Sequence, residues 1–349
     1  MDYEMTSKQR VLAALELKEP DRVPVGSFAT HVAGKLCGIS IREFATDSRK
    51  MATAQRCLYE KAFFDLLFPF SHVGMYAEGW GSKVKFVDAE VSPPISEFAV
   101  KKAEAWKDLE PFEPEKVQGA RVCIDALKIL KDELGDKAFL LGVVFCPMTS
   151  ATHVAPMADV LKQVRRKPEL LSIGLKVITE SLIRLSKAFI AAGADGIFFA
   201  VTRATGEILT KDQYNEIARP WDEKVLREIN VPVILHCCGR DPHLDLIAEF
   251  PNIQGLNWWD RGTQWSLKDA KGQLGKSHCL VAGIDQTRSI LMGTPDDVKS
   301  EAKDAIEQAG RDGGLILFSG CDLPINAPLE NVRAIAEAAK LYGTYPIGL

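Results

Sequence analysis

From residue 138 to residue 342 the chain repeats one phrase, a short apolar run followed by a longer amphipathic stretch. The apolar runs fall at 138–146, 195–200, 231–238, 255–260, 279–285 and 314–320. Between and after them, helical spacing is predicted over about 157–192 (a double stretch), 211–229, 242–250, 266–274, 295–310 and 328–342. Runs of this kind need cover on both faces, which parallel βα units supply. Two earlier runs, at 23–28 and 64–70, raise the expected strands to eight. That number fits a closed (β/α)8 TIM-type barrel, an α/β fold. A doubly wound open sheet is the competitor, but no Gly-x-Gly-x-x-Gly follows any of the runs.

The remainder fits around that frame. Thr6 and Gln9 form a capping-box pattern ahead of a helix over 6–18, which Glu19-Pro-Asp-Arg-Val-Pro24 breaks. A helix is expected over 42–62 and another over 115–134. A Gly-rich loop spans His72 to Gly81, and residues 83–114 read as a small hairpin or excursion. The whole chain, 1–349, is expected to be a single barrel domain.

Charged residues make up 26% and the formal net charge is −4, so nothing favours nucleic acid or an anionic membrane as partner. There is no run of 18 apolar residues, and residues 1–8 hold no apolar signal core. A cytoplasmic location is the expectation. The eight cysteines are then expected mostly reduced, as free thiols or metal ligands, with Cys37 and Cys279 structural.

The run at 231–238 ends in metal-ligand types. Side chains alternate along a strand, so His236 and Cys238 point one way and Cys237 the other. The run at 314–320 is followed directly by Cys321. In a barrel both runs end at the same C-terminal mouth. The expectation is that His236, Cys238 and Cys321 meet around one Zn²⁺. The plainer alternative is a pair of half-buried thiols beside a hydrogen-bonded histidine.

Several stretches resemble the uroporphyrinogen decarboxylase superfamily, and within it the zinc-dependent corrinoid methyltransferases. They are Arg10-Val-Leu-Ala-Ala-Leu with Glu19-Pro-Asp-Arg-Val-Pro24, Ala192-Gly-Ala-Asp-Gly-Ile197, Leu209 to Tyr214 with Arg219-Pro-Trp, Ile234-Leu-His-Cys-Cys-Gly239, Gly293 to Val298, Gly320-Cys-Asp-Leu-Pro324 and Ala327 to Val332. The resemblance implies a distorted (β/α)8 barrel. In the methyltransferase branch His-x-Cys and a later Gly-Cys hold zinc, which corresponds here to His236, Cys238 and Cys321. Decarboxylases of the superfamily carry an arginine-rich loop after the first strand to grip propionates. Here that loop, Phe28 to Gly38, has no arginine, and multiple carboxylates need bidentate guanidinium partners.

The resemblance therefore implies zinc-dependent methyl transfer between a small thiol, alcohol or methyl ether and a corrinoid carried on a partner protein. Homodimers are frequent in such relatives. The alternatives are a decarboxylase-like lyase, a non-catalytic corrinoid-binding protein, or a methyltransferase with a folate donor. By position, Glu78 is a candidate fourth metal ligand or proton carrier, and Glu207 a candidate to polarise a substrate hydroxyl or, equally, to cap the 211–229 helix through its charge. His153 and Trp259 are candidates for lining the corrinoid or substrate pocket. His31, Trp258 and Asp285 also fall at predicted strand ends.

Overall fold

The computed structural model describes residues 5–87 and 92–348. Along the chain β1 (Leu66–Leu67) is followed by an antiparallel ribbon of β2 (Lys83–Val84) and β3 (Ile95–Glu97). Then come β4 (Phe139–Phe145), β5 (Gly196–Ala200), β6 (Val233–Cys237), β7 (Gly255–Trp258), β8 (Cys279–Ile284) and β9 (Leu315–Ser319). The main sheet is parallel, in the order β1-β4-β5-β6-β7-β8-β9. Every residue of β4 through β9 is buried, which accounts for the unbroken apolar runs. The curled sheet with its helices is a TIM-type α/β barrel. The ribbon lies in the predicted excursion, of which residues 88–91 fall outside the described residues.

The expected first strand, 23–28, takes the place between β9 and β1, but as a single bridge rather than a regular strand. Gly26 N–H donates to the Leu317 carbonyl (3.0 Å), Leu317 N–H to that of Pro24 (2.9 Å), and Asp65 N–H to that of Val25 (2.7 Å). Pro24 has no N–H to give, so a full ladder cannot form. Val25 N–H turns instead to the Asp65 carboxylate at 2.8 Å. For its part, β1 is two residues long, not the seven of the apolar run.

The same carboxylate anchors the closed end. Asp65 is fully buried and accepts from Ser7 Oγ (2.6 Å), Arg10 Nη1 (2.7 Å) and Arg22 Nη1 (2.8 Å). Burial opposes its charge, but Arg22 and Arg10 outweigh it and hold the carboxyl below its usual range. The Ser7–Leu15 helix carries the predicted capping box and lays Leu15 against Gly255 at the start of β7. The motifs at Arg10 and at residues 19–24 are thus a clamp on the N-terminal end of the barrel.

The predicted double helix resolves into Met157–Arg166 and Pro168–Ala191. The helix expected over 211–229 contains a π turn, Tyr214–Ala218, just before Pro220, whose ring and missing N–H disturb the regular pattern. Inside the barrel Phe28, Phe68, Phe198 and Phe318 pack ring to ring at 5.2–6.1 Å. They make a solid floor beneath the mouth.

One cysteine expectation is overturned. Cys37 and Cys57 are paired as a disulfide, not left as free thiols. The helices His31–Leu36 and Ser48–Cys57 pack together and bring their Cα atoms to 6.6 Å, inside the range a bridge requires. The other six cysteines are free. Among the described residues no helix is long and apolar enough to cross a membrane.

Candidate metal centre

His236 lies on β6 and Cys238 one residue past its end, and the alternation is as expected. His236 Nε2 is 2.5 Å from Cys238 Sγ, which is 3.4 Å from Cys321 Sγ. The three donor atoms all lie within 4.8 Å of one another. Cys237 points away, its thiol donating to the Ala204 carbonyl at 3.2 Å. Complete burial pushes that thiol up to about 12, so it stays protonated.

The turn after Cys238 depends on Gly239, whose φ of +112° is a conformation L side chains rarely adopt. Before Cys321, a Cβ on Gly320 would stand 2.6 Å from Trp259 Cα. Glycine there lets the Cys321 turn close against the end of β7.

Asn257 decides what the imidazole can offer. It faces His236 in register across β6 and β7. Its amide nitrogen donates to the carbonyls of Val281 (2.5 Å) and Ser319 (3.0 Å). Carbonyls only accept, so Asn257 Oδ1 must be the atom turned to His236 Nδ1 at 2.5 Å. Nδ1 therefore carries the proton, and the Nε2 lone pair is aimed at the sulfurs. Phe198 stacks on the imidazole (5.2 Å, 24°) and fixes its plane.

The two sulfurs are within hydrogen-bond distance of each other. The hydrogen bond from Cys238 holds the Cys321 thiol low, against the effect of burial; the same bond, with burial, pushes Cys238 up. One lone-pair nitrogen and two adjacent sulfurs suit a soft divalent cation, and two thiolates would balance its charge. A tetrahedral ion held by three protein ligands keeps one position for a reactant.

The other predicted residues scatter around this centre. Glu207 is exposed and accepts Arg240 N–H at 2.8 Å, bracing the turn that follows Cys238. Glu78 lines a cleft with Pro111, Phe112 and Lys116, and is not among the converging donors; burial raises its carboxyl. Trp259 packs on Gly320 and donates Nε1–H to Asp285 at 3.2 Å. Asp285 also accepts from Thr287 and Arg288 and organises its own loop. Trp258 is core.

His153 lies edge-on to Phe145 at 5.4 Å. His31 and His72 are buried, and among the described residues His31 Nε2 and His72 Nδ1 have no hydrogen-bond partner. Burial lowers His31 and His153 to about 4, and burial with its two histidine neighbours lowers His72 to about 3. All three imidazoles are neutral at pH 7.

Sequence reasoning passed over Asn257 and Phe198. A polar Asn on an otherwise apolar strand, one residue before Trp258-Trp259, was the available signal for the first. Nothing local distinguished Phe198 from its neighbours.

The family described as uroporphyrinogen decarboxylase (URO-D) matches residues 6–342. A methylcobamide:CoM methyltransferase of Methanosarcina barkeri is 26% identical, over 97% of this chain and 99% of its own length. A uroporphyrinogen decarboxylase of Prochlorococcus marinus is 28% identical, over 80% of this chain and 76% of its own. Among solved structures, a methyltransferase from Methanosarcina mazei superposes with a TM-score of 0.84 at 25% identity, covering 97% of this chain and 99% of that one.

Proposed function

As the chain belongs to the uroporphyrinogen decarboxylase (URO-D) family, its activity is to be chosen among that family's chemistries, and we propose methyl transfer between a corrinoid and a small thiol, alcohol or methyl ether. The observation that carries the proposal is the convergence of His236 Nε2, Cys238 Sγ and Cys321 Sγ at the barrel mouth. These three would hold Zn²⁺. Bound there, Zn²⁺ supplies Lewis acidity, lowering the pKa of a thiol or polarising a donor oxygen. The similarity to methyltransferases along nearly the whole chain supports the same choice.

The protein's own groups have separable tasks in this reading. Asn257 keeps His236 in the tautomer whose Nε2 is a ligand. Glu207 holds the Cys238 turn through Arg240 N–H. Trp259, lying against the Cys321 turn, is a wall for the incoming group. The Phe floor closes the site from below and excludes water. The corrinoid arrives on a partner protein at the mouth. A decarboxylase reading is weakened by the loop from Phe28 to Gly38, which has no arginine for a polycarboxylate.

The test joins a metal assay to demethylation of methylcobalamin across a panel of thiols and phenols. The expected outcome is about one equivalent of zinc and methyl transfer to at least one acceptor. A metal-free protein that releases CO₂ from a tetrapyrrole carboxylate would overturn the proposal.

A further inference from the structure

One segment outside the metal centre touches it from two sides. Phe28 stacks on Phe198 (5.3 Å, 20°), the ring that in turn fixes the plane of the His236 imidazole. Thr30, at the head of the His31–Leu36 helix, donates its N–H (3.4 Å) and its hydroxyl (2.8 Å) to the Asp322 carboxylate. Leu323 N–H donates to the Phe28 carbonyl at 2.9 Å. Asp322 and Leu323 directly follow Cys321. The 28–36 segment thus reaches the nitrogen ligand through one ring and the Cys321 turn through three hydrogen bonds.

The far end of the same segment is held covalently. Cys37 closes the helix and is bonded to Cys57, the last residue of the Ser48–Cys57 helix. Gln55, two residues before the bridge, donates to the Ala29 carbonyl at 3.2 Å. One helix therefore grips the segment near both of its ends. Cys37 and Cys57 are each half-buried, within reach of a thiol reagent. The bridge coexists with six free thiols, two of which, Cys238 and Cys321, stand 3.4 Å apart and unbonded. A site that needs its sulfurs unoxidised works where thiols survive. There a half-buried disulfide is a reversible redox element and not a permanent staple.

We propose that the Cys37–Cys57 pair is a redox switch acting on the metal centre. Bridged, it clamps the 28–36 segment against His236 and the Cys321 turn. Reduced, it releases the clamp and the ion leaves faster. The switch is thrown by thiol–disulfide exchange with a dithiol. One dithiol sulfur attacks the bridge as a thiolate, the S–S bond breaks, and the second dithiol sulfur resolves the mixed disulfide. The two electrons and two protons given up by the dithiol end on the Cys37 and Cys57 thiols. The effect on the ion rests on the metal-centre reading given above; the effect on the segment does not.

The experiment compares bridged wild type with wild type reduced by dithiothreitol, which is removed anaerobically before zinc is loaded. Zinc release to a chelating dye is expected to be about tenfold faster from the reduced form. Hydrogen exchange at the Ile39 and Leu323 amides is expected to rise about tenfold, because the loop between the two cysteines, 20 residues apart, opens more readily without its cross-link. Cys37→Ser combined with Cys57→Ser is expected to match the reduced form and to ignore the redox treatment. Thr30→Val, which removes the hydroxyl link to Asp322, is expected to shrink the redox effect on zinc release while Ile39 exchange still responds. Equal zinc release from the two wild-type forms would overturn the switch and leave the metal centre standing. So would eight titratable thiols in protein treated with oxidised dithiothreitol, the full cysteine count. If neither form holds zinc, the metal-centre reading fails and Leu323 exchange decides. Unchanged on reduction, it overturns the switch as well; faster, it upholds the clamp on the Cys321 turn.

Discussion

The two ends of this barrel treat buried charge in opposite ways. At the N-terminal end Asp65 collects Arg10, Arg22, Ser7 and the Val25 N–H, and the charges are matched. At the C-terminal mouth, among the described residues, Arg203 has no carboxylate, two imidazole nitrogens have no partner, and three soft donors crowd together. Matched groups hold the ring closed. Unmatched ones are an unfavourable term in folding that persists where a ligand can supply the missing partner. The contrast separates an end whose buried charges are paired from an end where the proposed function puts the chemistry.

The largest effect should come from the ligands. Cys238→Ala or Cys321→Ala is expected to weaken zinc binding by more than about 100-fold, beyond what loss of a supporting group costs, and to abolish methyl transfer. Metal analysis after dialysis checks this, and a full zinc complement in either variant would refute the assignment. At the opposite end Asp65→Asn should leave two buried guanidinium groups without their shared anion. A loss of about 3–5 kcal/mol is expected in urea unfolding, with zinc per folded molecule unchanged; coupled loss of metal would blur the division between the ends.

Asn257→Ala tests the supporting layer. With the Nδ1 proton no longer fixed, zinc affinity should fall about 10–100-fold, read by competition with a chelator, while the fold melts near the wild-type temperature. Smaller again is a pH effect from the buried histidines. Their folded-state pKa values are depressed from 6.5 to about 4 for His31 and His153 and about 3 for His72. Below pH 6.5 the unfolded chain binds more protons, so stability present above that value declines as pH falls toward 4. His72→Phe should remove about 1.4 kcal/mol per pH unit of that slope. Unfolding curves at pH 7, 6 and 5 would show it, and an unaltered slope would mean the imidazole is not buried neutral. Asp65 acts later, in more acid solution, because its depressed carboxyl keeps its contribution until pH falls below about 3.8.

The repeated apolar runs made the barrel readable, because strands covered on both faces tolerate no polar positions. The eighth place was readable as a strand but not as a bridge, since Pro24 breaks a ladder only in relation to Asp65 and Leu317. The pair His236 and Cys238 was readable because alternation is local. Cys321 needed the further step that all strands of such a barrel end at one mouth. The Cys37–Cys57 bridge was missed because it depends on how two helices pack.

By itself, the sequence determined the period of the strands, the capped helices and the kinds of donor available, since these follow from backbone geometry and side-chain chemistry over a few residues. Only the tertiary structure decided which nitrogen of His236 bears the proton and that Arg203 meets the Thr152 hydroxyl and, among the described residues, no acid. Both depend on groups from separate strands and loops, Asn257 in one case and Thr152 in the other, whose distances no local pattern encodes.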